Sequence, residues 1–407
     1  MPLRKVLLLT YHFPPSGAVA VYRMLGLVHY LPKYGWQPVV VAPPRVPWEP
    51  EDASLLAQVP PETPIERVPF ASGFVGKIAR YLAPESHWLW KARSACHSMI
   101  GEHRPKAIFT SSPPGCVHLL GMRLQKRFGL PWLADFRDPW ITNLPVGRRP
   151  ARWRCASWLE GRVMKRATTL IANTPLNQRG WAEAYPREAH KMVTITNGFD
   201  PDRFASPPTR PAREKITILH AGELYHGRDP RPLLDALGQL QAGPVPLSVQ
   251  VEFLGRATEP LFDFPTEIHS RRLENVVRLE GQVPYADALK RMVQADILLI
   301  VQTPEYRVGV PAKLYEYLGA GRPILALAEP ASDIGWVLRE SRMLHRIAPP
   351  REVPRIKQAL VELTREVQLG CPAVPDQDAL RQFTRERMAQ RAAECLDRSV
   401  STRVVTP

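Results

Sequence analysis

The sequence lacks the features that mark a disulfide-stabilised or membrane-spanning protein. Its five cysteines are scattered, odd in number and without a C-x-x-C pair, so we expect a reducing compartment and neither a disulfide framework nor a zinc site. No apolar run approaches the roughly 18 residues of a transmembrane helix. The run from Lys5 to Thr10 is too short for the apolar region of a signal peptide. These absences predict a cytoplasmic protein.

Motifs for metals and dinucleotides are missing as well. The chain contains no H-E-x-x-H motif and no cluster of cysteine and histidine, so we expect no bound metal and no cofactor. The G-x-G-x-x-G fingerprint of dinucleotide-binding domains is also absent. With 407 residues, the chain is too long for one hydrophobic core and fits two domains of ordinary size.

Positive charge is concentrated in one half of the chain. Residues 1–198 contain 26 lysines and arginines against 12 aspartates and glutamates, a net charge of +14. Residues 199–407 contain 28 against 27, a net charge of +1. We therefore expect an acidic partner for the first half only. The candidates are an anionic membrane surface, a phosphorylated acceptor and nucleic acid, of which nucleic acid is disfavoured because no recognition module is present.

Apolar strand-like runs alternate with helical stretches along both halves. Alternation of this kind predicts parallel, doubly wound α/β sheets. We expect a Rossmann-like domain over residues 1–198 and a second over 199–377, facing one another across a cleft. Residues 378–407 are predicted to form a carboxy-terminal helix, from about Asp378 to Arg398, and a tail that returns to the first domain. The predicted strands are 6–10, 39–41, 107–111, 132–136, 169–173 and 193–196, then 215–221, 248–254, 276–279, 297–301 and 324–328.

The stretch from residue 310 to 328 reads as a helix that ends shortly before a buried strand. Pro311 suits the first helical turn, and Gly321 suits its end. Lys313 and Glu316 are then one turn apart on one helix face. Helices that begin beyond the carboxyl ends of strands border ligand sites in open sheets. A carboxylate there suits a ribose diol and a cation suits phosphate; the alternative is an ordinary surface salt bridge.

Glycines occur at the first strand-to-helix turn of each half. Gly17 lies in the first turn, where backbone N–H groups and the helix dipole can receive an anion; an ordinary tight turn is the alternative. In the second half, Gly222 and Gly227 allow close approach of the backbone. Arg228 can present a planar fork to phosphate oxygens.

Taken together, these motifs resemble the retaining family-4 glycosyltransferases of GT-B fold. The resemblance covers nearly the whole chain in the expected order. The first half also resembles a bacterial subgroup of that family. The segments that carry the resemblance are Tyr11–Pro15, Thr110–Pro114, Asp135–Trp140, Asn197–Asp200, Gly222–Arg228 and Lys313–Tyr317.

The resemblance implies transfer of a sugar from a nucleotide-sugar donor with retention of anomeric configuration. The donor is expected on the second domain and the acceptor on the first. By the same resemblance, Glu316 is expected to accept hydrogen bonds from the ribose hydroxyls, while Arg228 and Lys313 neutralise the diphosphate. Gly17 lets the first-domain loop close against the donor, and Gly222 allows the close approach described above. No metal is expected, since GT-B enzymes generally work without one.

Two departures from the family pattern affect the reacting centre. The family often has a second glutamate eight residues before Glu316, and Val308 stands there, which leaves the identity of the sugar open. Many relatives place a histidine at the end of the fifth strand, where this chain has Arg137 and Asp138. These two are our catalytic candidates for orienting the acceptor, and a buried structural Asp–Arg pair is the alternative. We expect His118 to be structural.

A basic, tryptophan-containing stretch follows the predicted strand 132–136. As a helix from about residue 151 to 166, it suits an anionic membrane surface or the acceptor side of the site. The alternatives are a solvated helix face and an acidic soluble partner. Glu160 is its only acidic residue. Its cations and tryptophans are Arg148, Arg149, Arg152, Trp153, Arg154, Trp158, Arg162, Lys165 and Arg166.

The sequence as a whole predicts a cytoplasmic GT-B glycosyltransferase, peripheral on the inner face of the plasma membrane. Its partners would be a nucleotide-sugar donor and a saccharide or lipid-linked acceptor in cell-surface polysaccharide assembly. Two alternatives come from other classes. One is a GT-B nucleotide-sugar 2-epimerase, which needs no acceptor, and the other is a non-catalytic GT-B scaffold protein. Product analysis separates the three.

Overall fold

The computed structural model describes residues 2–46, 49–70, 84–142, 153–205, 214–224, 227–244, 246–256, 262–370 and 376–401. These residues form two compact units. The first contains the described residues up to Gly198 and those from Arg385 onward, and the second is Phe199–Thr384. Each unit is an α/β structure built on one parallel sheet, so the predicted fold class is confirmed.

The first unit has a seven-stranded sheet of order β3-β2-β1-β4-β5-β6-β7. All of its strand pairs are parallel. Its strands are β1 (Arg4–Thr10), β2 (Trp36–Ala42), β3 (Ile65–Arg67), β4 (Ala107–Ser112), β5 (Trp132–Phe136), β6 (Thr169–Ala172) and β7 (Met192–Thr194), and its helices are α1 (Val21–Tyr30), α2 (Pro84–His103), α3 (Val117–Phe128), α4 (Trp153–Arg166) and α5 (Pro175–Ala184).

The second unit has a six-stranded parallel sheet of order β10-β9-β8-β11-β12-β13. Its strands are β8 (Ile216–Ala221), β9 (Val249–Leu254), β10 (Val277–Gly281), β11 (Ile297–Val301), β12 (Ile324–Leu327) and β13 (His345–Ala348). Its helices are α6 (Arg231–Gln241), α7 (Phe264–Ser270), α8 (Tyr285–Gln294), α9 (Ala312–Ala320), α10 (Asp333–Ser341), α11 (Val353–Gln368) and α12 (Gln377–Arg381); α13 (Arg385–Ser401) belongs to the first unit.

Both faces of each sheet are covered by helices. In β1, Leu7 and Leu9 face a core that includes residues of α2 to α5, whereas Val6 and Leu8 face α1 and α13. A strand covered on both faces needs an uninterrupted apolar run, which is why the central strands were recognisable from sequence. The strand order reverses between β1 and β4 in one sheet and between β8 and β11 in the other, and ligands bind beyond the strand ends at such switch points.

The prediction of one helix from Asp378 to Arg398 was wrong. The chain is helical in α12 and α13 but breaks between Arg381 and Arg385. Phe383 is buried in the core of the second unit, and its carbonyl accepts the Phe199 N–H at 2.9 Å. The break lies where the chain passes from one unit to the other, so the core contacts of Phe383 override local helix propensity.

A buried ion pair holds α1 to the sheet of the first unit. Arg23 donates to the Asp135 carboxylate from Nε at 3.0 Å and from Nη2 at 2.6 Å. Both side chains are buried. The guanidinium also donates to the backbone carbonyls of Thr196 and Ile195, and Ser111 Oγ donates to Asp135. The pair therefore joins α1, β4, β5 and the segment after β7.

We expect Arg23→Met to destabilise the first unit by about 3–5 kcal/mol, because it leaves the Asp135 carboxylate buried without its counter-charge. Arg45→Met is the control, because Arg45 pairs with Glu51 at an exposed position where ion pairs contribute at most about 1 kcal/mol. Urea unfolding followed by tryptophan fluorescence measures both, since nine of the ten tryptophans precede residue 199. Equal stability of the two variants would contradict the prediction.

Candidate functional site

The candidate site of the second unit is organised by α9. Gly321 ends this helix with φ +66°, as the sequence predicted, whereas Pro311 is its N-cap and precedes the first turn to which the sequence assigned it. The first turn of α9 contains Lys313, and Glu316 follows one turn later. Their amine and carboxylate bond to different partners, described below, so the pair is not an ordinary intrahelical salt bridge.

The Lys313 amine contacts a buried histidine. Its Nζ lies 3.1 Å from Nε2 of His220, which is the penultimate residue of β8. His220 Nδ1 lies 3.0 Å from the carbonyl oxygen of Leu299. A carbonyl can only accept, so Nδ1 carries the hydrogen and Nε2 is left to accept one from the Lys313 ammonium. Burial and the Lys313 charge hold the pKa of His220 well below its ordinary value.

A glycine backbone closes the other side of the Lys313 amine. Gly222 has φ +110°, and a Cβ atom there would lie 2.8 Å from Lys313 Nζ. Gly255, at φ +134°, packs on Gly222 so closely that its own Cβ would lie 2.7 Å from the Gly222 carbonyl carbon. Both positions therefore require glycine for conformation. Gly255 also requires it for space, because its neighbour is backbone, whereas a Cβ at Gly222 would displace the Lys313 amine. The predicted close approach at Gly222 is made by the lysine side chain.

The environment of Lys313 favours loss of its proton. Its pKa is lowered to about 7, first by burial and then by the charge of Arg228, while Glu316 and Glu223 act in the opposite direction. Two cations are thus held close together at this strand end. An anion placed beside them would relieve their repulsion and favour the charged form of the lysine.

Glu316 is held by a tyrosine of another helix. Tyr285 Oη, at the start of α8, donates to Glu316 Oε1 at 2.5 Å. The guanidinium of Arg203 lies over the Tyr285 ring, 5.2 Å from its centroid. The carboxylate is partly exposed, so it is oriented by the tyrosine at the surface of the site. The sequence analysis missed both His220 and Tyr285 as site residues.

A small apolar cavity of about 130 Å³ lies beside Gly222. Its walls come from the carboxyl ends of β8, β9 and β10 and from α7. A planar apolar group bound there would lie beside the backbone of Gly222 and Gly255. The lining residues are Gly222, Leu224, Phe253, Gly255, Arg256, Phe264, Leu279 and Gly281.

A buried aspartate organises the loop in which Val308 stands. Asp333 Oδ2 accepts the Gly309 N–H at 2.8 Å, and the Asp333 N–H donates to the Arg307 carbonyl at 3.0 Å. Asp333 is the first residue of α10 and is fully buried. The loop before α9 is therefore held from a helix that is distant in sequence.

In the first unit, Gly17 and Arg137 donate hydrogen bonds that join neighbouring loops. The Gly17 N–H donates to the Pro50 carbonyl at 2.7 Å, so this N–H does not face an anion, contrary to the sequence-based expectation. Arg137 is buried and donates to the backbone carbonyls of Ser112, Pro113 and Ala20. Burial lowers its pKa to about 10. Arg137 therefore links the segment after β5 to the loops that follow β1 and β4. Asp138, two residues beyond β5, is exposed.

A histidine–carboxylate pair occupies the same sheet edge. His12 Nδ1 lies 3.0 Å from the Glu49 carboxylate, to which Ser16 Oγ donates at 2.6 Å. Burial alone would raise the pKa of Glu49, but the hydrogen bonds from His12 and Ser16 hold it below its ordinary value. This pair was also missed, because its members are 37 residues apart. His118 is buried against Thr110, and burial lowers its pKa to about 3.

Of the predicted basic stretch, Arg148, Arg149 and Arg152 lie outside the described residues. Trp153 and Arg154 are exposed at the start of α4. Among the residues that the structure describes, no group of three metal-ligating side chains occurs. Two D-x-D sequences begin at Asp200 and Asp376. The first carboxylate of each is a helix N-cap that accepts a backbone N–H.

Comparison with known proteins supports a common fold. Residues 17–198 match the family described as glycosyl transferase 4-like domain. No curated protein matches the sequence. Identities to solved structures are below 25%, so those structures establish the fold alone, and that fold is GT-B.

Three of these solved structures match along nearly their whole length. Anabaena HepE in complex with UDP-glucose is 18% identical with a TM-score of 0.64, over 97% of this chain and 99% of that one. Sucrose-phosphate synthase from Thermosynechococcus elongatus is 15% identical with a TM-score of 0.70, over 98% and 100%. WaaG, a glycosyltransferase involved in lipopolysaccharide biosynthesis, is 14% identical with a TM-score of 0.59, over 99% and 100%.

The site geometry predicts an unusually reactive lysine. Competitive amine labelling with mass spectrometry over a pH series should give half-maximal reactivity of Lys313 near pH 7, since burial and Arg228 lower its pKa to about 7. Arg228→Gln should raise this midpoint because it removes the repelling charge. Arg351→Gln, which alters an exposed ion pair with Glu305, should leave it unchanged. If Arg228→Gln leaves the pH of half-maximal Lys313 reactivity unchanged, the described arrangement is contradicted.

Proposed function

We propose that this chain is a glycosyltransferase, which transfers a sugar from a nucleotide-sugar donor to a saccharide or lipid-linked acceptor. The match of residues 17–198 to the glycosyl transferase 4-like domain family supports the proposal. The observation that carries the proposal is the cluster of Lys313, His220, Gly222, Arg228 and Glu316 at one strand end of the second unit. It combines cations for a diphosphate with an oriented carboxylate for a diol.

In the proposed donor site, cations contact the diphosphate and a carboxylate forms hydrogen bonds with the ribose. Arg228 and Lys313 would contact the diphosphate, on which negative charge builds as its bond to the sugar breaks. Glu316, oriented by Tyr285, would accept the ribose hydroxyls. The cavity beside Gly222 would receive an apolar face of the nucleotide. Support comes from HepE, which was solved with UDP-glucose and shares the fold.

We further propose transfer with retention, in cell-surface polysaccharide assembly. The motif resemblance supports retention, and the likeness to WaaG, which is involved in lipopolysaccharide biosynthesis, supports the role. On the first unit, Asp138 and the His12–Glu49 pair lie at the carboxyl edge of the sheet and would contact the acceptor. A 2-epimerase or a non-catalytic scaffold would use the same fold, and product analysis with a donor alone and with an acceptor separates these activities.

Donor binding is tested by a thermal-shift screen with UDP, GDP, ADP and their sugar conjugates. A ligand at about 100 times its Kd should stabilise the protein by roughly 2.7 kcal/mol. Glu316→Gln and Arg228→Ala should lose this shift while keeping their unliganded Tm. Glu340→Gln changes an exposed carboxylate at the end of α10 and should behave as the wild type. Full shifts in both site variants would refute the site assignment.

A basic face of the first unit supports peripheral attachment to the inner leaflet of the plasma membrane. On α4, Trp158 is 59% exposed and Arg162 stacks on its ring at 4.8 Å. Glu160 points inward and accepts the Ile141 N–H at 2.7 Å. The adjoining α3 contains no acidic residue, and Gln125 donates to the Arg166 carbonyl of α4. The exposed cations of the two helices are Arg123, Lys126, Arg127, Arg154, Arg162, Lys165 and Arg166.

Cations interleaved with exposed tryptophans suit an anionic bilayer, where indoles lie at headgroup level. Each cation near such a surface contributes about 1 kcal/mol. Within the described residues, the structure contains no helix that is long and apolar enough to cross a membrane. Attachment through this face would bring the first unit to a lipid-linked acceptor.

Sedimentation with phosphatidylglycerol-containing vesicles tests the attachment. We expect Trp158→Ala combined with Arg162→Glu and Lys165→Glu to weaken binding at least tenfold, since two attractive charges become repulsive. The matched control is Arg351→Glu with Arg355→Glu, two exposed cations of the second unit. Neutral phosphatidylcholine vesicles provide the lipid control. Equal binding by both variants would remove the membrane proposal.

A further inference from the structure

We propose that binding of the donor's diphosphate places a proton on Lys313, and that His220 is the positioning residue that holds the amine for it. The inference rests on the proposed function, because it takes the Lys313 site to be the diphosphate site. It assigns a role to a buried histidine that no motif of the sequence indicated.

The hydrogen bond to Leu299 sets the tautomer of His220. With Nδ1 donating to Leu299, its Nε2 lone pair faces Lys313 Nζ at 3.1 Å. The ring is fully buried and packs beside Phe253, with 5.6 Å between ring centroids. A fixed, neutral acceptor can hold an ammonium group without adding charge to the site. His220 therefore orients one of the three ammonium N–H bonds.

The titratable groups that face Lys313 come from three elements. Arg228 and Glu223 lie in the segment after β8, Glu316 lies on α9 itself, and His220 is on β8. His220 contributes no charge because its own pKa is far below neutrality. In the empty site, Arg228 opposes the ammonium form of Lys313. A diphosphate would add negative charge and reverse this balance.

The sign of the resulting pH dependence follows from linkage. Well below pH 7, Lys313 is charged with or without ligand, so binding takes up no proton at this group. Above its pKa of about 7, the empty site has lost the proton while the bound site retains it. Affinity for a nucleoside diphosphate should therefore fall as pH rises above 7, approaching about tenfold per pH unit.

Isothermal titration calorimetry with UDP measures the proton directly. UDP is used first and is replaced by GDP or ADP if the thermal-shift screen selects one of them. At pH 8 the terminal phosphate is ionised, since its pKa is about 6. Titrations in HEPES and in Tris, whose ionisation enthalpies differ, should show uptake of close to one proton per nucleotide. Lys313→Arg should show no uptake and a flat affinity between pH 7 and 8, because arginine stays charged.

Two substitutions of His220 separate positioning from simple packing. His220→Phe keeps an aromatic ring beside Phe253 but provides no acceptor, so UDP affinity should fall at least tenfold. His220→Gln can place an amide oxygen near the former Nε2 position and should stay within a few-fold of the wild type. Circular dichroism melting checks that both variants fold, and a loss of affinity in His220→Gln equal to that in His220→Phe would indicate packing alone and overturn the role of His220.

The failure of this inference can be distinguished from failure of the proposed function. If the wild type binds a nucleoside diphosphate without proton uptake, and His220→Phe binds it equally well, the inference is overturned and the donor site stands. If the wild type binds none of the three nucleoside diphosphates, both are overturned. Proton uptake that disappears in Lys313→Arg, with weakened binding in His220→Phe, supports both.

Discussion

The contact between the Lys313 amine, the His220 imidazole and the Gly222 backbone is the constraint on which the rest of the candidate site depends. The amine occupies the space that a Cβ at residue 222 would need, and it faces the Nε2 atom of a buried imidazole. Burial and the charge of Arg228 lower the pKa of this amine. Lys313 and Arg228 therefore repel one another, and an anion beside them would relieve that repulsion, as the proposed diphosphate would.

Buried guanidinium groups play the corresponding part in the first unit. Arg23 is paired with Asp135, and Arg137 is satisfied by three backbone carbonyls. Each joins segments that follow different strands, so the loops at the carboxyl edge of the sheet are held by charge-assisted hydrogen bonds. His12 and Asp138 stand on these loops, and Glu49 contacts His12 from the loop after β2. The carboxyl edge of the first sheet is therefore polar and fixed by hydrogen bonds. The basic helices α3 and α4 belong to the same unit.

The sequence predicted regular elements well where local signals and burial agreed. Strand β5, at Trp132–Phe136, and strand β11, at Ile297–Val301, lie where their apolar runs placed them. The edge strands β3 and β13 were missed because β3 has only three residues and β13 begins with His345 and Arg346. The carboxy-terminal helix was predicted without its break, since nothing local shows that Phe383 packs into the second unit.

The sequence by itself determined the two-unit α/β architecture, the start and end of α9, and the presence of Lys313 and Glu316 on it, because proline, glycine and apolar periodicity act locally. Only the tertiary structure decided what those two side chains contact. His220 lies 93 residues from Lys313, and Tyr285 lies 31 residues from Glu316. The same holds for the Gly17 N–H, which the Pro50 carbonyl occupies. Partners of this kind are set by strand order and register, and these are properties of the folded sheet that no local pattern contains.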